Sequence, residues 1–150
     1  MNKKLILNNA QLLDLVRNEL SEGGSVKIKA RGNSMRPLIQ GNRDELVLCK
    51  PNEDSFKKGS IVLARLQEEH MVAHRIAVTD GNTLVLRGDG NIAARETVKP
   101  KDVVAEVIAV VRGRKMIRKG SLCWNKYRYL WPSNPLLRRV LLKLFAGKQN

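Results

Sequence analysis

Cysteine, histidine and aromatic residues are scarce in this 150-residue chain, and it contains no long hydrophobic run. Its two cysteines, Cys49 and Cys123, stand apart without a Cys-x-x-Cys motif, and there are only two histidines. This scarcity argues against a metal cluster, so we expect no metal ion, no cofactor and two free thiols in a reducing compartment. No stretch approaches the ~20 apolar residues of a transmembrane helix, and the N-terminus lacks the hydrophobic core of a secretory signal. These absences predict a protein that is cytoplasmic or peripherally associated with a membrane.

Positive charge is in large excess and is concentrated towards the C-terminus. The formal net charge is +14, and no acidic residue follows Glu106. Eleven lysines and arginines do follow it, whereas the residues before it are nearly balanced in charge. Such asymmetry predicts an anionic partner, either a phospholipid surface or a nucleic acid.

Short β-like runs separated by turn residues dominate the middle of the chain. They are Ser25–Ala30, Glu45–Cys49, Ser60–Leu66, Met71–Val78, Thr83–Arg87, Val103–Val111 and Lys115–Arg118. Many short strands without intervening helical patterns predict a mainly β fold of coiled antiparallel sheets.

Helical patterns lie near the two ends of the chain. Asn8-Asn9 can cap a helix in which leucines and a valine recur at helical spacing up to Leu20. The run Leu136–Phe145 places Leu137, Val140, Leu141 and Leu144 on one face and its cations elsewhere, which predicts a short amphipathic helix. The chain therefore divides into an N-terminal helix (residues 1–24), a β-rich domain (25–118) and a basic, aromatic and amphipathic C-terminal segment (119–150).

Ser34 and His74 are the residues best suited to covalent catalysis. Ser34 lies in a loop that begins with the flexible Gly32 and ends with the rigid Pro37, and His74 lies on a predicted strand. A serine hydroxyl needs a base to become nucleophilic, and an imidazole, which ordinarily titrates near pH ~6.5, can provide one. Such a base usually needs a third group that fixes its tautomer.

Two acidic residues are candidates for that third group. Asp89, within Gly88-Asp89-Gly90-Asn91, is the first choice and Glu96 is the second. Ordinary structural explanations exist for each residue: a serine in a turn, a histidine in a strand and an aspartate in a hairpin. Spacing alone therefore does not establish an active site.

Five motifs taken together resemble the signal peptidase family of serine endopeptidases. Ser34-Met35-Arg36-Pro37 matches the Ser-Met-x-Pro box that carries the nucleophile, and Lys58–Val62 resembles the Gly-Asp-Ile-Val strand. Val72–Ile76 matches the His-Arg-Ile box of the endoplasmic-reticulum, archaeal and sporulation-type branch, which uses histidine where common bacterial enzymes use lysine. Arg87–Asn91 is similar to the Lys-Gly-Asp-x-Asn box, and Lys101–Val104 to the strand after it.

The resemblance covers roughly residues 25–111 and implies both a fold and an activity. The fold would be the coiled antiparallel sheets of signal peptidases and SOS-repressor peptidases. The activity would be peptide-bond hydrolysis, as in signal-peptide processing, with Ser34 as nucleophile, His74 as base and Asp89 or Glu96 as the orienting acid. Substrates would bind as extended strands with small side chains before the scissile bond.

Two other interpretations are open. The soluble relatives, self-cleaving SOS repressors and mutagenesis proteins, use lysine as the base, and residues 1–24 are too few for a helix-turn-helix module. Alternatively, the chain is a non-catalytic module that binds nucleic acid or a membrane on the same β scaffold. We do not expect nucleic acid as a partner, because the basic excess lies outside the β domain without a recognition motif. An anionic membrane bound through residues 121–150 suits the basic aromatic segment better.

Overall fold

A computed structural model describes residues 8–67 and 70–146, and these form one antiparallel sheet with three α-helices. The ends of the predicted N-terminal and C-terminal segments, residues 1–7 and 147–150, lie outside the described residues. The strands are β1 Val26–Lys29, β2 Glu45–Cys49, β3 Ile61–Arg65, β4 Met71–Thr79, β5 Leu84–Arg87, β6 Glu96–Val98, β7 Val103–Arg112 and β8 Lys115–Arg118. The helices are α1 Asn9–Ser21, α2 Leu122–Tyr129 and α3 Pro135–Ala146, with 3₁₀ turns at Glu53–Phe56 and Pro100–Asp102.

The strands pair in the order β1-β2-β7-β3-β4-β5-β6, and β8 pairs with the end of β7. Every pair in this sheet is antiparallel. The register shifts in three of the pairs, β2–β7, β3–β7 and β4–β5. Such bulges bend strands and increase their twist, which coils the sheet. The predicted mainly β fold of coiled antiparallel sheets is therefore confirmed.

The main hydrophobic core lies between α1 and the β1–β2–β7 part of the sheet. Leu13, Val16 and Leu20 of α1 are buried there, as their spacing predicts. Asn8 caps the helix: its side-chain oxygen accepts a hydrogen bond from the Gln11 amide at 2.8 Å. A second, smaller core forms where β3, β4, β5 and β6 pack their inward side chains together.

Two elements are absent from the sequence prediction. The first is α2, which begins after Ser121, whose hydroxyl accepts a hydrogen bond from the Trp124 amide. Trp124 is almost fully buried and joins the main core, so α2 packs against the β domain. The second is β6, which has three residues and is too short to show a clear alternation.

Asp44 links the Ser34-containing loop to the sheet. Its fully buried carboxylate accepts hydrogen bonds from Arg43, from Arg112 at the end of β7 and from the Gln40 amide. Burial alone would raise the pKa of Asp44, but the hydrogen bonds from Arg43 and Arg112 outweigh it and lower this pKa to about 2. Arg112 also donates to the Leu38 carbonyl at 3.0 Å, so this ion pair fixes the loop against β7.

Candidate active site

Ser34 and His74 are in contact although they lie 40 residues apart in the chain. Ser34 lies in the loop between β1 and β2, and His74 lies in the first half of β4. The Ser34 Oγ is 2.9 Å from the His74 Nε2, a hydrogen-bonding distance. The His74 side chain is almost completely buried, whereas Ser34 is half-buried. The structure thus brings together the serine and the histidine that the sequence singles out.

Glu96 is the carboxylate that contacts His74. Its Oε2 lies 2.8 Å from the His74 Nδ1, and Glu96 is the first residue of β6. An ionised carboxylate can only accept a hydrogen bond, so Nδ1 carries the hydrogen in this arrangement. The Nε2 lone pair then faces the Ser34 hydroxyl, which is the tautomer that a general base requires.

Asp89, the first choice for the orienting acid, pairs with Arg75 and not with His74 in this structure. Both of its carboxylate oxygens accept hydrogen bonds from Arg75, at 2.9 Å and 2.8 Å. Arg75 donates a further bond to the Gly59 carbonyl at 2.9 Å. Adjacent residues of a strand point to opposite faces of the sheet, so Asp89 is on the side of Arg75 rather than that of His74.

The loop that contains Asp89 supports the nucleophile through its backbone. The Gly90 amide donates a hydrogen bond to the Ser34 carbonyl at 2.8 Å. A Cβ atom on Gly88 would lie 2.2 Å from that same carbonyl oxygen, and one on Gly90 would lie 2.5 Å from the Asn33 carbonyl oxygen. Neither approach is compatible with a side chain, so both glycines are required for the close contact with the serine loop.

Met35 and Gly32 shape the serine loop itself. Gly32 has a φ of +72°, in the left-handed region that favours glycine. The Met35 side chain is buried, and its sulfur accepts the Asp89 amide hydrogen at 3.4 Å. Within the described residues, the Ser34 amide has no hydrogen-bond acceptor.

A cleft of about 500 Å³ passes in front of Ser34 and His74. Its walls are mostly apolar and include Ile28 and Ala30 on one side and Val72 and Ala73 of β4 on the other. Both walls are free strand edges. Among the strands that the structure describes, β1 pairs only with β2, and β4 pairs with β5 only from Arg75 onward.

Residues 8–112 match the family model described as peptidase S24-like. The chain belongs to this family. The S24-like match runs from the start of α1 to the end of β7 and includes Ser34, His74 and Glu96. It supports a serine-peptidase type of function and the superfamily that also includes the signal peptidases. No curated protein shows significant sequence similarity to the chain.

The two last helices lie beyond the S24-like match, yet α3 is attached to the loop next to the nucleophile. Arg138 is buried, and its Nη1 donates to the carbonyl oxygens of Gly88, Asp89 and Asn91 at 2.9–3.0 Å. The Trp131 indole N–H donates to the Asp89 carbonyl at 2.8 Å. Sequence reasoning missed these contacts, because one arginine among many in a basic helix gives no sign of burial.

Neither a membrane span nor a metal cluster is found in the described part of the chain. Across residues 8–67 and 70–146, no helix has the length and hydropathy needed to cross a membrane. In the same ranges no three histidine, cysteine, aspartate or glutamate side chains come together at a metal-binding distance.

Proposed function

We propose that the protein is a serine endopeptidase of the histidine-type signal peptidase branch. The main support for this proposal is that His74 is hydrogen-bonded to both Ser34 and Glu96. The His74 Nε2 is 2.9 Å from the Ser34 Oγ, and the His74 Nδ1 is 2.8 Å from the Glu96 Oε2. Each member has the residue type and position that its role requires, namely a nucleophile, a base and an orienting acid. A histidine base, rather than lysine, favours this branch over the self-cleaving repressors.

In the acylation step, Ser34 Oγ attacks the carbonyl carbon of the scissile peptide bond. His74 Nε2 takes the hydroxyl proton as the new C–O bond forms, and Glu96 stabilises the resulting imidazolium through Nδ1–H. The imidazolium then gives its proton to the leaving amine as the C–N bond breaks. The products of this step are an ester on Ser34 and a free amine.

When Ser34 attacks, negative charge develops on the carbonyl oxygen of the scissile bond. This oxyanion needs hydrogen-bond donors that are already in position. The Ser34 amide lacks a protein acceptor among the described residues and is therefore available to stabilise the oxyanion.

In the second step, His74 removes a proton from water, the water oxygen attacks the ester, and Ser34 leaves as its hydroxyl with the proton from His74. The enzyme returns to its starting state.

The substrate is an extended peptide that lies in the cleft between two strand edges. β1 offers one unpaired edge and the Met71–His74 part of β4 offers the other, so peptide backbone groups can pair on both sides. The apolar walls favour apolar side chains near the scissile bond. The resemblance to signal peptidases adds a preference for small side chains immediately before it.

Digestion of a mixed peptide library, with new N-termini identified by mass spectrometry, tests this proposal. We expect cleavage after small residues by the wild-type protein and a loss of about 10³-fold or more in rate for Ser34→Ala. Ser25→Ala is the matched control, since Ser25 is exposed, lies just before β1 and does not line the cleft. Equal cleavage by wild-type and Ser34→Ala would contradict the proposal, and no cleavage by either would favour a non-catalytic binding module.

We further propose that an anionic membrane surface is a partner of the C-terminal segment. On α3, Leu137, Val140 and Leu144 are 50%, 54% and 61% exposed, and Leu130 before it is 77% exposed. Such a group of exposed apolar side chains beside cations is typical of helices that lie in a headgroup interface. No acidic residue follows Glu106 to oppose an anionic surface.

Vesicle co-sedimentation tests this partner. The wild-type protein should bind phosphatidylglycerol vesicles more strongly than phosphatidylcholine vesicles, and Val140→Ser with Leu144→Ser should reduce that binding. Leu15→Ser, on an exposed leucine of α1, is the control and should leave it unchanged. These substitutions are preferable to deletion of residues 121–150, because deletion removes the buried Trp124 from the core. Binding that is equal for both lipids or unaffected by the α3 changes contradicts the proposal.

A further inference from the structure

A second cavity, separate from the cleft at Ser34, lies between the β4–β5 hairpin and the C-terminal segment. Its volume is about 270 Å³. One acidic side chain, Asp89, lines it together with six cationic ones, Lys58, Arg75, Arg87, Arg95, Arg128 and Arg138. Tyr127 and Trp131 complete the wall on the side of the C-terminal segment.

Most of this positive charge has no carboxylate counter-ion in the described part of the chain. Asp89 forms its ion pair with Arg75. Among the residues that the structure describes, none of the other five cations is within salt-bridge distance of a carboxylate. The Asp89 and Gly88 carbonyls contribute only partial negative charge, so the cavity is strongly electropositive.

Arg87 and Arg138 are the innermost cations, with 4% and 6% of their surface exposed. Arg87 donates to the carbonyl oxygens of Ser133 and Ile92, and Arg138 to those of the 88–91 loop and of Pro132. The Arg87 Nε is fully buried and has no hydrogen-bond partner within residues 8–67 and 70–146. Buried charges and buried donors are costly when unpaired, so the described residues leave the charge of the Arg87 guanidinium incompletely compensated.

The electrostatics of the two arginines agree with this interpretation. Burial, with repulsion from Arg95, lowers the pKa of Arg87, although its ordinary value is high enough that it stays charged. Burial, with repulsion from Arg87, lowers the pKa of Arg138 to about 10. Both guanidinium groups would gain from an anion placed between them.

We propose that this cavity binds a phosphate group. Arginine guanidinium groups match the geometry of phosphate oxygens, and several converging cations can balance a doubly charged group. The exposed side chains of Lys58 and Arg95 lie at the rim, where they would meet the anion first. The phosphate belongs either to a soluble phosphate ester or to a phospholipid headgroup, and α3 carries both Arg138 and the exposed apolar face described above.

Calorimetric titration with inorganic phosphate, with chloride at the same ionic strength as the reference, tests the proposal. We expect saturable phosphate binding to the full-length wild-type protein. Lys58→Gln with Arg95→Gln should weaken it about tenfold or more, since each replaced cation removes a charge-assisted contact. Arg114→Gln, an exposed cation in the β7–β8 turn, is the control and should change the Kd less than about twofold.

The test uses the exposed rim residues Lys58 and Arg95 because a substitution of the buried Arg87 would also disturb packing. Absence of saturable binding at millimolar phosphate would overturn the proposal. So would binding that Arg114→Gln weakens as much as the rim substitutions do, since that result indicates general charge attraction only.

Binding measurements with glycerol 3-phosphate and with phosphatidylglycerol vesicles distinguish a soluble phosphate ester from a phospholipid headgroup as the natural ligand. Binding of glycerol 3-phosphate that depends on Lys58 and Arg95 supports the site with a soluble ester. Vesicle binding that depends on the same two residues, and is much tighter than that of glycerol 3-phosphate, supports it with a lipid headgroup. The proposal does not rest on peptidase activity, and the Ser34→Ala protein should bind phosphate as the wild type does.

Discussion

The Glu96 carboxylate accepts the Nδ1–H of His74 at 2.8 Å, from a three-residue strand at the opposite edge of the sheet from β1. This contact settles which ring nitrogen faces Ser34. Glu96 and Asp89 lie only seven positions apart in the chain but have different partners, because Asp89 pairs with Arg75. One acid is therefore suited to a catalytic role and the other to a structural role.

Replacing Glu96 should affect turnover more than stability. Glu96→Gln keeps the size of the side chain but removes the charge that stabilises the imidazolium, so we expect kcat to fall by about 10²–10⁴-fold. The melting temperature should change little, since Glu96 is partly exposed. Steady-state hydrolysis of a library-derived peptide or an activated ester checks this. A kcat within about twofold of the wild type would remove Glu96 from the mechanism.

Replacing Asp89 should show the reverse pattern. Asp89→Asn leaves the Arg75 guanidinium buried without its carboxylate, and breaking such a pair costs about 3–5 kcal/mol of unfolding free energy. Urea denaturation measures that loss. A stable Asp89→Asn protein with much reduced kcat would instead favour a direct catalytic role for Asp89.

Gly88 should tolerate no side chain. A Cβ atom there would lie 2.2 Å from the Ser34 carbonyl oxygen, so Gly88→Ala must displace either the 88–91 loop or the serine loop. We expect a large loss of hydrolysis, because small displacements of a nucleophile cost about 10²-fold in rate. Gly24→Ala is the control, since its Cβ would be no closer than 3.5 Å to another atom and its φ is not in the left-handed region. Equal activity of the two variants would show that the loop contact is not needed.

Asp44 should make the stability of the fold depend on pH in acid. Its pKa of about 2 in the folded state lies below the ordinary carboxyl value, so its charge stabilises the fold above pH ~4. This contribution, about 2 kcal/mol, is lost as the pH falls from ~4 towards ~2. The difference in unfolding free energy between wild-type and Asp44→Asn should therefore shrink over that interval. A difference that stays constant from neutral to acid pH contradicts this role.

Much of the fold could be predicted because strands with one buried face show alternation or continuous apolar runs. The run Glu45–Cys49 is predicted with the bounds that β2 has, and the long runs of β4 and β7 differ from prediction by one residue. β6 was not predicted because a strand of three residues is too short to show an alternation of apolar and polar side chains. α2 was missed because Trp124 is its one buried residue, so no apolar face repeats.

The site was predictable in part, for a related reason. Ser34 and His74 stand in motifs with distinctive residue order, and the structure brings them together. The choice between Asp89 and Glu96 depends on which face of the sheet each side chain occupies. Asp89 lies in a loop, and Glu96 lies on the strand that was missed, so the sequence pattern could not decide. The hydrogen bonds from Arg138 to the 88–91 loop depend on tertiary packing, which the sequence pattern does not show.

Reaction with p-nitrophenyl acetate tests the central claim most directly, because it requires no knowledge of the natural substrate. We expect a burst of p-nitrophenolate equal to the enzyme concentration and one acetyl group on Ser34, located by peptide mass spectrometry. Ser34→Ala should show neither, His74→Ala should slow the burst strongly, and Ser25→Ala should behave as the wild type does. Absence of acetylation at Ser34, or a burst that persists in Ser34→Ala, would contradict the assignment of Ser34 as the nucleophile.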